Sequence, residues 1–215
     1  DRKIAAIGIR VAMADGEAAP EGTRIALHTA GRMAGSQGIA ANRPWKNPSA
    51  PFEVSAPAGK QTVDVNLPGS LPRTTEVTVA AGGSTEVEVE AEGADLVGEF
   101  PRAAERGKVL LVPDLPAKLP GRDAVIAALR DGIHHELGGY LPLPDGGRGL
   151  PFALTRVAAD GRFVFRHIPD GRYRIYGTAP GLQLSQPVVV VVEDGEPRLA
   201  RGSGRPALQA RASRA

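Results

Sequence analysis

Apolar and polar residues alternate at a spacing of two through much of this chain, the pattern of strands that bury one face. Lys3–Met13 (KIAAIGIRVAM) is apolar and partly β-branched, and it runs into Asp15-Gly16, a turn signal. Thr23–His28 sets Ile25 and Leu27 against Arg24 and Ala26. Thr29–Pro51 is rich in Gly, Ala, Asn and Pro and holds Trp45; it reads as a long loop with one ragged edge strand. Phe52–Ser55 and Gln61–Leu67 (QTVDVNL) resume the alternation. Thr74–Val79 and Ser84–Glu90 flank Ala80-Ala81-Gly82-Gly83 and predict a hairpin, with Val77, Val79, Val87 and Val89 on its buried face.

Ala91-Glu92-Gly93 breaks this pattern and marks the expected domain boundary. Strands follow over Asp95–Glu99 and Lys108–Val112 (KVLLV). The residues at about 114–151 then interrupt the β pattern with a helical insertion. Its centre, Arg122–Leu137, carries Val125, Ile126, Leu129, Ile133 and Leu137 at spacings of three and four, the stripe of an amphipathic helix. Gly132 weakens it and Gly138-Gly139 stops it. Short strands return at Phe152–Val157, Arg162–Phe165, Arg172–Tyr176 and Pro187–Val192, separated by Asp160-Gly161, Asp170-Gly171 and Ala179-Pro180-Gly181. The unbroken run Val188–Val192 predicts a central or fully covered strand.

Composition agrees with many short elements. Glycine (27) and proline (19) make up about a fifth of the chain, against roughly 12% on average. The hydrophobic fraction of 42% is enough for a packed core, and no apolar run reaches the length of a membrane-spanning helix. The net charge of +2 is unevenly placed. Arg201, Arg205, Arg211 and Arg214 lie in the last fifteen residues without an acid, which leaves −2 on residues 1–200. Residues 201–215 are therefore expected to be a disordered basic tail, suited to weak contact with an anionic surface; no nucleic acid partner is expected. The absence of cysteine excludes a disulfide framework and any thiolate site.

The two halves rhyme. Phe52–Leu67 reads FEVSAPAGKQTVDVNL before Pro68-Gly69, and Phe163–Thr178 reads FVFRHIPDGRYRIYGT before Ala179-Pro180-Gly181. Each gives an aromatic strand, a Pro-x-Gly turn and an alternating strand. The segment from Ala159 to Ile175 resembles the carboxypeptidase regulatory-like domain, a family with a transthyretin-like seven-stranded β-sandwich. Phe52–Leu67 carries the same signature less sharply and is also similar to collagen-adhesin B-type repeats. The resemblance implies two tandem all-β, Ig-like Greek-key sandwiches at 1–91 and 92–200, the second carrying the helical insertion, which that family does not require. It also implies a non-catalytic spacer or docking role in secreted or envelope proteins.

A crosslinked adhesin repeat joins a Lys to an Asn; Lys3 lies on the first strand, but Ser84–Glu90 contains no Asn. Tyr173 matches the iron-ligating Tyr of intradiol ring-cleavage dioxygenases, yet Gly177–Glu193 lacks the His-x-His pair that such a site needs. Tyr173 is accordingly expected to be a core or tyrosine-corner residue. His134, His135 and Glu136 form the one cluster of ligand-type residues, and position 138, where a zinc helix would place its second His, is Gly. Trp45, Tyr140 and Tyr176 are the aromatics on which a sugar ring could stack, and they are scattered. His28 and His167 are single strand residues for which the sequence suggests no partner.

The expectation is therefore a non-enzymatic structural or protein-binding module of a cell-envelope, surface or extracellular assembly, with no cofactor. Its expected contact elements are the loop with Trp45 and the helix, through Arg122, Val125, Ile126, Leu129 and Ile133. The alternatives are a glycan or small-ligand module, and a metal-dependent enzyme using His134, His135 and Glu136.

Overall fold

The computed structural model describes residues 4–13, 18–29, 39–44, 50–100, 107–115, 122–131, 139–141, 149–178, 187–200 and 209–213. Among them the fold is all-β, with sixteen strands and one helix. The chain divides into two compact units, one comprising Asp1–Leu67 and Pro72–Ala91, the other Pro68–Leu71 and Glu92–Ala215.

The first unit holds β1 (Ile4–Met13), β2 (Arg24–Thr29), β3 (Ile39–Pro44), β4 (Phe52–Pro57), β5 (Gly59–Asn66), β6 (Arg73–Val79) and β7 (Ser84–Ala91). They form a three-stranded sheet, β4-β1-β7, and a four-stranded sheet, β3-β2-β5-β6. Alternation sends Ile7 and Ile9 of β1, Ile25 and Leu27 of β2, and Val63 and Val65 of β5 into one buried cluster between the sheets. Burying a side chain of this size contributes roughly 1.5–3 kcal/mol, so a one-residue slip that turned these faces outward is strongly disfavoured.

The hairpin expected from Thr74–Val79 and Ser84–Glu90 does not form. β6 pairs with β5, while β7 pairs in parallel with β1 in the opposite sheet. The connection, with Gly82 at φ 70°, carries the chain from one sheet to the other. The valine alternation specifies which face is buried and leaves the neighbour open. Crossing over puts Val79 on one wall of the core and Val87 and Val89 on the other.

The second unit holds β8 (Ala94–Glu99), β9 (Lys108–Pro113), α1 (Arg122–Asp131), β10 (Gly139–Leu141), β11 (Leu150–Arg156), β12 (Arg162–Ile168), β13 (Gly171–Thr178), β14 (Val188–Glu193), β15 (Glu196–Leu199) and β16 (Gln209–Ser213). Its sheets are β10-β11-β9-β13-β14-β15 and β12-β8-β16. Leu96, Phe163, Phe165 and Ile168 of the small sheet meet Val109, Leu111, Tyr173, Ile175 and Val190 of the large one. The large sheet has a second apolar face, where Leu110, Val112, Leu154 and Tyr176 lie with Val125 and Leu129 of α1. Covering on both faces explains why Val109–Val112 is continuously apolar. Val188–Val192 is an interior strand, one in from the edge between β13 and β15, but Val189 and Val191 are only half-buried, so it is not fully covered.

Two close approaches pin this core. Phe163 lies opposite Gly98 on the neighbouring strand, and a Cβ at Gly98 would come within 2.0 Å of its ring. A Cβ at Gly177 would likewise come within 2.1 Å of the Phe100 ring. Pro68–Leu71, between β5 and β6 in sequence, are built into this second unit. Ser70 Oγ donates to the Arg166 carbonyl at 2.7 Å, Arg166 N–H donates to the Gly69 carbonyl at 3.0 Å, and Leu71 is buried with the Phe165 cluster.

With β10 and β15 set aside, the orders β11-β9-β13-β14 and β12-β8-β16 repeat β3-β2-β5-β6 and β4-β1-β7. The rhyming segments fall at equivalent places: β4 leads to β5 through Gly59 (φ 117°), and β12 leads to β13 through Gly171 (φ 156°). Each Pro-x-Gly turn carries the chain from the small sheet to the large one. The expectation of a disordered 201–215 tail is corrected in part, because Gln209–Ser213 pairs along β8 as β16. Backbone pairing on an open edge requires no apolar side chains, so composition does not reveal it. The expected helix is seen over Arg122–Asp131, and residues 132–138 lie outside the described ones.

Candidate functional site

A cluster of charged side chains lies where β9 ends beside β13. Asp114 follows the last residue of β9, and its N–H donates to the Arg172 carbonyl at 2.7 Å. Alternation along β13 puts Arg172, Arg174 and Tyr176 on the face opposite Tyr173 and Ile175. Arg172 Nε donates to Asp114 Oδ2 at 2.6 Å and Arg174 Nε donates to Oδ1 at 2.5 Å. The carboxylate side chain is 3% exposed, Arg174 is 27% exposed and Arg172 is 56% exposed. Burial pushes the Asp114 carboxyl up, but the bonds and charges of Arg172 and Arg174 outweigh it and hold the group below its ordinary value. The arrangement fastens two strands with charge-assisted bonds.

A second cluster stands on the first unit's four-stranded sheet. Asp64 of β5 is directly opposite Thr74 of β6, whose Oγ1 donates to Oδ1 at 2.5 Å. His28 Nε2 of β2 lies 3.0 Å from Asp64 Oδ2, so His28 does have a partner. The hydroxyl faces the carboxylate rather than the imidazole, which is the arrangement of a cross-strand tie and not of a base-activated nucleophile.

Other polar side chains hold turns and termini. Tyr173 is buried and its hydroxyl donates to the Pro169 carbonyl at 2.8 Å, four residues back, as in a tyrosine corner. Its oxygen is thereby engaged rather than presented to a metal. Asp170 accepts from the N–H groups of Asp194 and Gly195, both at 3.0 Å, and so anchors the β14–β15 turn. Lys108 Nζ donates to the Leu129 carbonyl in the last turn of α1 at 3.0 Å, a favourable place for a cation. Burial, and then the charge of Arg156, lower the Lys108 pKa.

Of the residues expected to make contacts, two turn inward. Val125 and Leu129 are 1% and 4% exposed against their own sheet, so they are not available to a partner. An amphipathic stripe buries the same area against either, and the second face of the large sheet is where this one goes. Ile126 is half-buried. Arg122 is the first residue of α1. Trp45, Ile133, His134, His135, Glu136, Arg201, Arg205 and Arg214 lie outside the described residues, and Arg211 lies in β16. Sequence alone does not join Asp114 to Arg172 and Arg174, which lie 58 and 60 residues away. The available signal was Arg-x-Arg on a strand next to an acid that closes an apolar strand.

No family model and no curated protein matches this sequence. Among solved structures, the chain is similar to the Bacillus anthracis TIE protein at 12% identity and a TM-score of 0.31, covering 89% of this chain and 31% of that one. It is similar to a streptococcal ancillary pilin at 15% identity and a TM-score of 0.34, covering 90% of this chain and 60% of that one. A DUF3823 family protein from Parabacteroides merdae is 11% identical, with a TM-score of 0.32 and coverage of 88% and 96%. The chain spans less than two thirds of the first two.

Proposed function

We propose that this chain is a non-enzymatic structural or protein-binding module of a cell-envelope, surface or extracellular assembly, built from two transthyretin-like sandwiches. The observation that carries the reading is the use made of the buried polar groups. Asp114, Asp64, Ser70 and Tyr173 each fasten one strand or turn to another. Side chains spent on such ties serve a rigid scaffold. The three- and four-stranded sheets of the first unit support the transthyretin-like assignment, as do the matching strand orders of the two units.

The test combines assembly with metal content. Light scattering on the purified full chain is expected to show multiples of the chain or a stoichiometric complex, with no stoichiometric metal by elemental analysis. A stoichiometric transition metal that His135→Ala removes would overturn the reading in favour of metal-dependent chemistry. Binding on a glycan array that Trp45→Ala abolishes would overturn it in favour of a ligand module.

A further inference from the structure

The last described strand of each unit fills an equivalent place in a different way. β7 is eight residues long, is joined to β6 by four residues (Ala80–Gly83), and sends Val87, Val89 and Ala91 into the core. β16 is five residues long and is separated from β15 by nine (Ala200–Leu208). In its register, Ala212 lies opposite Leu96 and Ala210 opposite Gly98, the positions of β8 that face the core. The place therefore carries alanines where β7 carries valines.

From this contrast we infer that β16 is an exchangeable strand: Gln209–Ser213 of one copy takes the place beside β8 of a second copy, linking chains through their three-stranded sheets. The inference rests on the assembly reading above and names its partner, a second copy of this chain. When β16 leaves, β8 presents an unpaired edge beside the buried Leu96, Phe163 and Phe165, and an open edge is a template for another strand. An identical strand from a neighbour restores the same ladder in the same register. The closed and exchanged forms then differ only in the connection and in the entropy of association, the condition under which identical elements swap between protomers. Exchange in one direction between successive copies gives open chains; reciprocal exchange gives dimers.

The chain contains no cysteine, so introduced thiols report without interference. Glu99 and Gln209 are cross-strand partners, and Glu99 is exposed. Full-length Glu99→Cys and Gln209→Cys chains are mixed, warmed to the onset of unfolding, cooled and oxidised. The expected result is a mixed disulfide between the two variants in excess over both self-disulfides. Unsubstituted protein treated the same way is expected to gain dimers and higher multiples by light scattering. The double variant, oxidised before warming, closes within one chain and is expected to lose those multiples, which return with reductant. Mixed disulfides no more abundant than self-disulfides overturn the inference. Multiples that persist in the locked double variant also overturn it, while leaving self-assembly through another surface intact.

Discussion

The two units run the same strand order, yet their last strands point in opposite directions. In the first, β7 returns parallel to β1; in the second, β16 returns antiparallel to β8. The difference follows from one added element. After β6 the first chain crosses directly to its small sheet. After β14 the second folds back as β15 first, pairing antiparallel at the edge of the large sheet, and so approaches the small sheet from the other end. One inserted strand reverses the direction of everything that follows. A second addition, α1, gives the second unit another buried face. The first unit lacks that covering layer among its described residues, and the outward side of its four-stranded sheet carries the polar tie of His28, Asp64 and Thr74.

The largest loss of stability is expected at the aromatic core of the second unit. Phe165→Ala is expected to cost about 3–5 kcal/mol. Trp45 belongs to the first unit, and Tyr140, Tyr173 and Tyr176 belong to the second. Tyrosine near-ultraviolet dichroism should therefore lose its signal at lower urea than in the unsubstituted chain. Leu71→Ala asks where the boundary lies in sequence. It sits between strands of the first unit but packs in the core of the second, so a loss of about 2–4 kcal/mol should appear in the tyrosine-reported transition.

Asp114→Asn is expected to cost about 2 kcal/mol, less than a fully buried ion pair because Arg172 is largely exposed. The pH dependence has a definite sign. A carboxyl held below its ordinary value of 3.8 contributes stability that is present above that value. The contribution is lost as the pH falls through the lowered one. Acid unfolding monitored by tyrosine should therefore be shallower below pH 3.8 in Asp114→Asn than in the unsubstituted chain. The smallest effect is expected at Thr74→Val, about 1 kcal/mol from one hydrogen bond, read by tryptophan fluorescence in the first unit.

These expectations separate what the chain writes locally from what it does not. The apolar run Val109–Val112 reports a strand buried on both faces, and the alternation of QTVDVNL marks Val63 and Val65 as the core face but does not reveal that Asp64, on the other face, is buried too. The Pro-x-Gly rhyme marks equivalent turns because a backbone with positive φ favours Gly at Gly59 and Gly171. Neighbour choice is different. Thr74–Val79 and Ser84–Glu90 resemble a hairpin in their local pattern, yet they pair with β5 and β1 in separate sheets. Gln209–Ser213 resembles a polar tail because the ladder it forms with β8 uses backbone groups that every residue carries. The site residues behave the same way. Asp114 meets Arg172 and Arg174, and His28 meets Asp64, only after the sheet is assembled.

Cross-strand nuclear Overhauser effects test the doubled strand order most directly. The account requires a parallel pattern between Ala6–Met13 and Ser84–Ala91 and an antiparallel one between Asp95–Glu99 and Gln209–Ser213. An antiparallel pattern joining Arg73–Val79 to Ser84–Ala91, with no contacts from Gln209–Ser213 to Asp95–Glu99, would contradict it.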